Sequence, residues 1–192
     1  MKILAISTLT VCGIDELSAH QAGRVTHVLS VLDPDWPEID TFRSYGQHHR
    51  TTLRFHDIID PEASRLLPMP EHVGEILRFG SDLMKSSGDR EDGHLLVHCH
   101  MGVSRSTAAT LTLLAQTHPG EDEDRLFARL REIRPQAWPN SLMITYADDL
   151  LGRQGRLVAG LRRHYKHQIQ HEPKFVDWMT RLGRHRELQM GE

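Results

Sequence analysis

Cysteine is scarce in this 192-residue chain: Cys12 and Cys99 are the only two. A disulfide scaffold is therefore excluded, and with no C-x-x-C pair there is no signal for a zinc ribbon or dithiol redox chemistry. Lysine is scarce as well, found only at positions 2, 85, 166 and 174 among the 23 basic residues. The formal net charge is −3, so the chain lacks the basic field that draws nucleic acid or an anionic membrane. Long apolar runs are missing too; nothing approaches the roughly 20 residues of a membrane span. The fourteen histidines are scattered and never form His-Glu-x-x-His. His48 and His49 are adjacent and cannot share a helical face, so neither a metal nor another cofactor is expected. The mild apolar stretch 3–11 is broken by Ser7, Thr8 and Thr10, and Val11, not a small residue, precedes Cys12. It reads as a first β-strand rather than as a leader or lipoprotein site, and the expectation is a cytoplasmic protein.

What is present suits one globular domain: 39% hydrophobic and 26% charged residues, in a chain long enough to bury a core. Strands are expected over 2–8, 25–32, 51–55 and 94–98, with a short helix or turn over 14–22. Pro70 suits a first helical turn, and Val73, Ile76, Leu77, Leu83 and Met84 repeat at helical spacing, predicting a helix over 70–86. Further helices are expected over 104–116 and 121–133, the second with four acidic residues at its positive end. Asn140 reads as the N-cap of another, stopped at Gly152. Residues 33–49 and 56–68 read as loops and 86–93 as a polar turn. Strands alternating with helices predict an α/β fold with a mainly parallel central sheet flanked by helices. After Gly152 the composition turns to Arg, His and Gln, and 153–192 reads as a helical extension of the same domain.

The informative segment runs Val97-His98-Cys99-His100-Met101-Gly102-Val103-Ser104-Arg105-Ser106. A cysteine ends a buried strand, and five residues separate it from an arginine where a helix starts. A loop between a strand end and a helix N-terminus aims successive backbone N–H groups into one concavity, a cradle for an oxyanion. Residues His100, Met101, Gly102, Val103 and Ser104 would form that cradle. Gly102 permits a backbone conformation that a side chain would block. Arg105 can fork two N–H donors onto two oxygens. The same cradle, helix end and guanidinium favour the thiolate of Cys99, its nucleophilic form. Ser106 can hydrogen-bond the sulfur as it leaves, and His98 is expected to support the loop rather than to take a proton.

This pattern, H-C-x-x-G-x-x-R-S between strand and helix, resembles the signature loop of the protein tyrosine phosphatase superfamily, most of all its compact dual-specificity branch and small bacterial relatives. The resemblance is specific over 95–106, looser over about 25–151 (Arg134-Pro135 and Pro139-Asn140 included), and does not reach the last forty residues. It implies a catalytic domain over 1–152 that hydrolyses phosphate monoesters through a phosphocysteine on Cys99, without metal. The partners it implies are phosphorylated proteins, with a small-molecule phosphate ester such as a phosphoinositide as the alternative. It also implies a general acid, an aspartate on a loop upstream of the cysteine. Asp57 follows the strand Leu53-Arg54-Phe55 and fits; Asp60, before Pro61, looks more like a turn former and is the other candidate. The absence of lysine from the loop speaks against a highly charged inositol substrate.

Other features have plainer readings. Cys12 is expected to be a buried strand-end residue rather than a disulfide partner of Cys99. Trp36, Trp138 and Trp178 read as packing residues. The basic run through Arg153, Arg156, Arg162, Arg163, His164, Lys166 and His167 reads as a solvated helix face. Two rivals are a rhodanese-like sulfurtransferase, which His98 and Arg105-Ser106 disfavour, and a non-catalytic phosphate-binding scaffold, which the retention of Cys99, Arg105 and an aspartate disfavours.

Overall fold

The structure, a computed structural model, describes residues 6–85 and 93–192. Four parallel strands form one sheet in the order β1-β4-β2-β3. These are β1 (Thr8–Cys12), β2 (His27–Leu32), β3 (His49–Arg54) and β4 (His94–His98). Parallel order with helical crossovers requires both faces of the central strands to be covered, and every residue of β2 and β4 is buried. Alternation divides the core in two. Leu29, Val31, Leu95 and Val97 face the large helical side, whereas Val28, Leu32 and Leu96 face a smaller cluster with Leu17, Phe42 and Tyr45.

The first strand differs from expectation. It lies over Thr8–Cys12 rather than 2–8, of which 2–5 fall outside the described residues. The polar Thr8 and Thr10 that interrupt the apolar run are no obstacle at a sheet edge, where threonine suits the half-exposed pleat. Thr10 Oγ1 lies 2.9 Å from His94 Nε2 on the neighbouring strand. Pairing then runs to Cys12 opposite His98, so β1 and β4 end together beneath the loop of interest. The other edge strand, β3, begins two residues earlier than expected; its Arg50 and Arg54 reach Glu38.

Helices follow as α1 (Pro70–Lys85), α2 (Arg105–Thr117), α3 (Glu123–Ile133) and α4 (Ser141–Leu150). Short 3-10 turns cover Ile14–His20 and Asp40–Ser44. The polar turn expected over 86–93 falls, except for Gly93, outside the described residues. Helix α2 is buried along nearly its whole length despite three interior threonines. Thr110 returns its hydroxyl to Ser106 O and Thr112 to Ala108 O at 2.8 Å, and Thr107 to Ser104 O just before the helix at 2.9 Å, so none of these three hydroxyls lacks an acceptor. Asn140 caps α4 as expected, accepting from the N–H of Leu142 and Met143.

Residues after Gly152 form α5 (Arg156–His171), α6 (Lys174–Arg181) and α7 (His185–Met190). The apolar face of α5, Leu157, Leu161 and Tyr165, is fully buried. Gly160 lets it approach Phe127 of α3; a Cβ there would stand 2.8 Å from that ring. Trp138 is sandwiched, its ring stacked on Tyr165 at 4.3 Å and on Phe175 of α6 at 5.2 Å. The reading of the basic run as a solvated face is corrected at two positions. Arg153 is buried and donates to the carbonyls of Ala115 and His118 and to Glu123. His164 is buried with Nε2 2.9 Å from Ala137 O. Arg153 answers carbonyls that the end of α2 leaves open and His164 one in the segment between α3 and α4, and no periodicity in the sequence marks such a duty.

Candidate active site

The loop from Cys99 to Ser104 joins the buried end of β4 to the start of α2. Its shape is set by where its carbonyls go. His100 O accepts from the Ile14 N–H, Met101 O and Gly102 O from the Arg134 guanidinium, and Val103 O from the Trp138 N–H. Each carbonyl is drawn outward, so the peptide N–H groups turn to the opposite, concave side, where an anion would sit. Arg134 is itself anchored by a two-pronged ion pair to Glu16, with N···O distances of 2.9 and 2.8 Å. Gly102 has φ +69°, and a Cβ on it would lie 2.4 Å from the Cys12 backbone carbon. That approach admits only glycine.

Around this cradle stand the residues singled out from the sequence. Cys99 is buried with Sγ 3.1 Å from Ser106 Oγ. Arg105 is buried, and its Nη1 donates to Phe55 O and to Asp33 Oδ1 at 2.7 Å. Its Nε is buried without a partner. A guanidinium held by one nitrogen while another is left dry is poised for an acceptor. His98 lies behind the loop, Nε2 2.6 Å from Ser30 Oγ. The His100 ring packs tilted against Trp36 at 4.2 Å between ring centres and accepts at Nε2 from the Asp33 N–H. Met101 stands exposed at the rim. Cys12 is free and buried, and burial, with Glu16 nearby, pushes its thiol up to about 12.

The two aspartates separate cleanly. Asp60 is half exposed and pairs with Arg186 at the surface. Asp57 faces the cradle: its Oδ1 accepts from Ser104 Oγ at 2.7 Å, Asn140 Nδ2 at 3.0 Å and Arg184 Nη1 at 3.0 Å. Burial alone would raise its pKa, but Arg184 and Arg105, with the Asn140 and Ser104 hydrogen bonds, hold it at about 2.

A pocket of about 220 Å³ opens above these groups. Its floor is the loop with Asp33 and Asp57; part of its wall is Trp178, Met179, Leu182 and Arg184 from the C-terminal helices. Trp178 thus lines the site and Trp36 flanks it, while Trp138 alone of the three is wholly core. Sequence reasoning missed Asp33, which fell at the start of a stretch read as loop, and Arg184, which carries no local signal. Among the described residues no group of three or more histidine, cysteine or acidic side chains is arranged to hold a metal.

His98 and His164 share one consequence. Burial is the main reason both imidazoles are held neutral, with pKa values lowered from 6.5 to about 3; Arg131 adds to it at His164. The unfolded chain takes up protons below pH 6.5 that the folded chain refuses until about pH 3. Each therefore contributes stability that is complete above that window and is lost as pH falls, by about 1.4 kcal/mol per unit. Thermal unfolding midpoints are expected to drop steadily from pH 6.5 to pH 4, less steeply in His164→Gln. An identical slope in the variant would refute the assignment.

Comparison with known proteins agrees with this architecture. No family model matches the chain. Over 144 residues, 75% of the chain, it is 35% identical to protein phosphatase Slingshot homolog 3 of Mus musculus. It spans only 19% of that relative's length. Among solved structures, a mouse putative dual specificity phosphatase complexed with zinc tungstate superposes with a TM-score of 0.56 at 18% identity, over 79% of this chain and 86% of that one. The Yvh1 phosphatase domain from Chaetomium thermophilum gives 0.51 at 24% identity, over 78% and 93%. The fold is thus that of the dual-specificity phosphatases. The chain is similar in sequence to a Slingshot protein phosphatase over three quarters of its length and in fold to the dual-specificity phosphatases.

Proposed function

We propose that this chain hydrolyses phosphate monoesters, above all phosphorylated tyrosine or dual-specificity protein substrates, through a phosphocysteine on Cys99. The observation that carries the reading is the meeting of the Cys99 sulfur and the dry Nε of Arg105 at one pocket, where the carbonyls of His100 to Val103 are bonded to groups outside the loop. The thiolate attacks phosphorus in line; the S–P bond forms as the P–O bond to the leaving group breaks, and Asp57 gives that oxygen a proton. Arg105 and the loop amides hold the three equatorial oxygens. Water then attacks the phosphocysteine, Asp57 takes its proton, and Ser106 donates to the departing sulfur.

In the resting site Asp57 is a carboxylate held by two guanidiniums. A bound phosphoryl dianion shares Arg105 with it, offsets their pull and raises its affinity for the proton it must deliver. The apolar wall of Trp178, Met179 and Leu182 supports an aryl leaving group. Burial of Leu157, Leu161, Tyr165 and Phe175 against the rest supports treating 1–152 and 153–192 as one unit. No described helix is long and apolar enough to cross a membrane; two free thiols support a reducing, cytoplasmic setting.

The proton donor is tested by leaving group. Asp57→Asn is expected to lower kcat/KM, which reports loss of the leaving group, by about 10²–10³ for phenyl phosphate, and far less for p-nitrophenyl phosphate, which needs little protonation. Asp60→Asn is expected to stay near wild type. If Asp60→Asn shows the leaving-group dependence instead, the acid is misassigned.

A further inference from the structure

The site is not closed by the segment that resembles the phosphatases. Its proton donor is clasped by a residue 127 positions away, at the start of the last helix. The chain turns at Gly183, φ +69°, and the Arg184 N–H is tied to Met179 O at 2.9 Å. Every nitrogen of the Arg184 guanidinium is then engaged. Nη1 donates to Asp57 at 3.0 Å, Nη2 to Ser104 Oγ at 3.2 Å and Glu187 Oε1 at 2.8 Å, and Nε to Glu187 Oε2 at 2.9 Å. Glu187 is fixed in turn by the Trp138 indole N–H at 2.7 Å and the Ser141 N–H at 2.8 Å.

We propose that Arg184 is a positioning residue of this active site, acting through Asp57: it is the cation that holds the Asp57 carboxylate against the phosphate cradle. The proposal rests on Asp57 being the acid of the phosphatase reading above. Four of the five Arg184 N–H donors go to Asp57, Ser104 and Glu187, so it is held to the carboxylate and its braces. It contributes two things. It fixes where the carboxylate stands, because the fork is braced from behind by Glu187. It also opposes the proton that Asp57 needs, so Arg184 helps set the highest pH at which the first step runs well. The other groups that face Asp57 are Arg105, Ser104 and His100 on the loop side, Asn140 at the cap of α4, and Tyr165 of α5. Of these only Arg105 is a second fixed cation, and Arg105 is shared with Asp33. Burial, with Glu187 close by, keeps Tyr165 neutral, its pKa well above the usual phenol value, and burial beside Arg105 disfavours the charged form of His100.

The test uses the full chain. The Asp57 carboxyl carbon is followed by ¹³C NMR titration, assigned by its absence in Asp57→Asn, in wild type, Arg184→Lys and Arg184→Gln. Because Arg184→Gln leaves Glu187 as a lone buried anion, the double variant with Glu187→Gln is measured beside it. Loss of the cation is expected to raise the Asp57 midpoint by about one to two pH units. The descending, high-pH limb of kcat/KM for phenyl phosphate is expected to move up with it, and Arg184→Lys to restore most of the shift. A midpoint unchanged in both glutamine variants overturns the proposal. If wild type fails to hydrolyse phosphate esters, the phosphatase reading falls, while the titration still decides whether Arg184 governs Asp57.

Discussion

Cys99→Ser is expected to lower p-nitrophenyl phosphate turnover by about four orders of magnitude or more while leaving tungstate binding close to wild type. The two readouts separate because two sets of atoms serve them. On the proposed mechanism, oxyanion binding falls to the loop amides and Arg105 and bond making to the sulfur; the loop's position depends on Arg134, Trp138 and Ile14 outside it. A hydroxyl in place of the thiol has nearly the same shape but is a far weaker nucleophile than sulfur. Stopped-flow release of p-nitrophenol gives the rate. Quenching of Trp36 and Trp178 beside the pocket reports oxyanion binding in the same samples. Residual activity near wild type would remove Cys99 from the mechanism; lost binding as well would mean that the substitution had collapsed the loop.

The second large effect concerns the C-terminal helices. Deleting residues 153–192 is expected to abolish cooperative unfolding rather than trim a dispensable tail. The deletion uncovers the partners of Leu157, Leu161, Tyr165, Phe175 and Met179, all buried. At about 1.5–3 kcal/mol for each such side chain, the loss is comparable with the whole stability of a domain, about 5–15 kcal/mol. It also strips both stacking rings and the Glu187 acceptor from Trp138. Calorimetry and tryptophan emission check it. A truncated chain that melts in one sharp transition near the wild-type midpoint would show that 1–152 folds alone.

Legibility in the sequence followed the distance over which each feature is determined. Cys99, Gly102, Arg105 and Ser106 stood out because a strand end, a loop and a helix start are local events. Asp57 was found one step less directly, as the aspartate that follows a strand. Asp33 bonds to Arg105 across 72 positions and Arg184 to Asp57 across 127; nothing in the residues beside either one announces such a partner. The first strand was misplaced for a related reason: the alternation of Thr8, Leu9, Thr10 and Val11 is a signal only once an edge position is known. Arg153 and His164 looked like a charged helix face because periodicity counts side-chain types and not the open carbonyls they close.

The Arg184–Glu187 clasp also orders events in time. A chain is made from its N-terminus, so sheet, cradle, Cys99 and Arg105 all exist before residue 184 leaves the ribosome. Until then Asp57 has Ser104 and Asn140 but not Arg184, Ser104 lacks its Arg184 donor, and the Trp138 indole lacks Glu187. The contacts that complete the site are among its most distant in sequence, and such contacts form late because closing a long loop must precede them. A nascent chain can therefore hold Cys99 and its loop before Arg184 reaches Asp57. On the proposed mechanism, the full reaction then waits for the last helix.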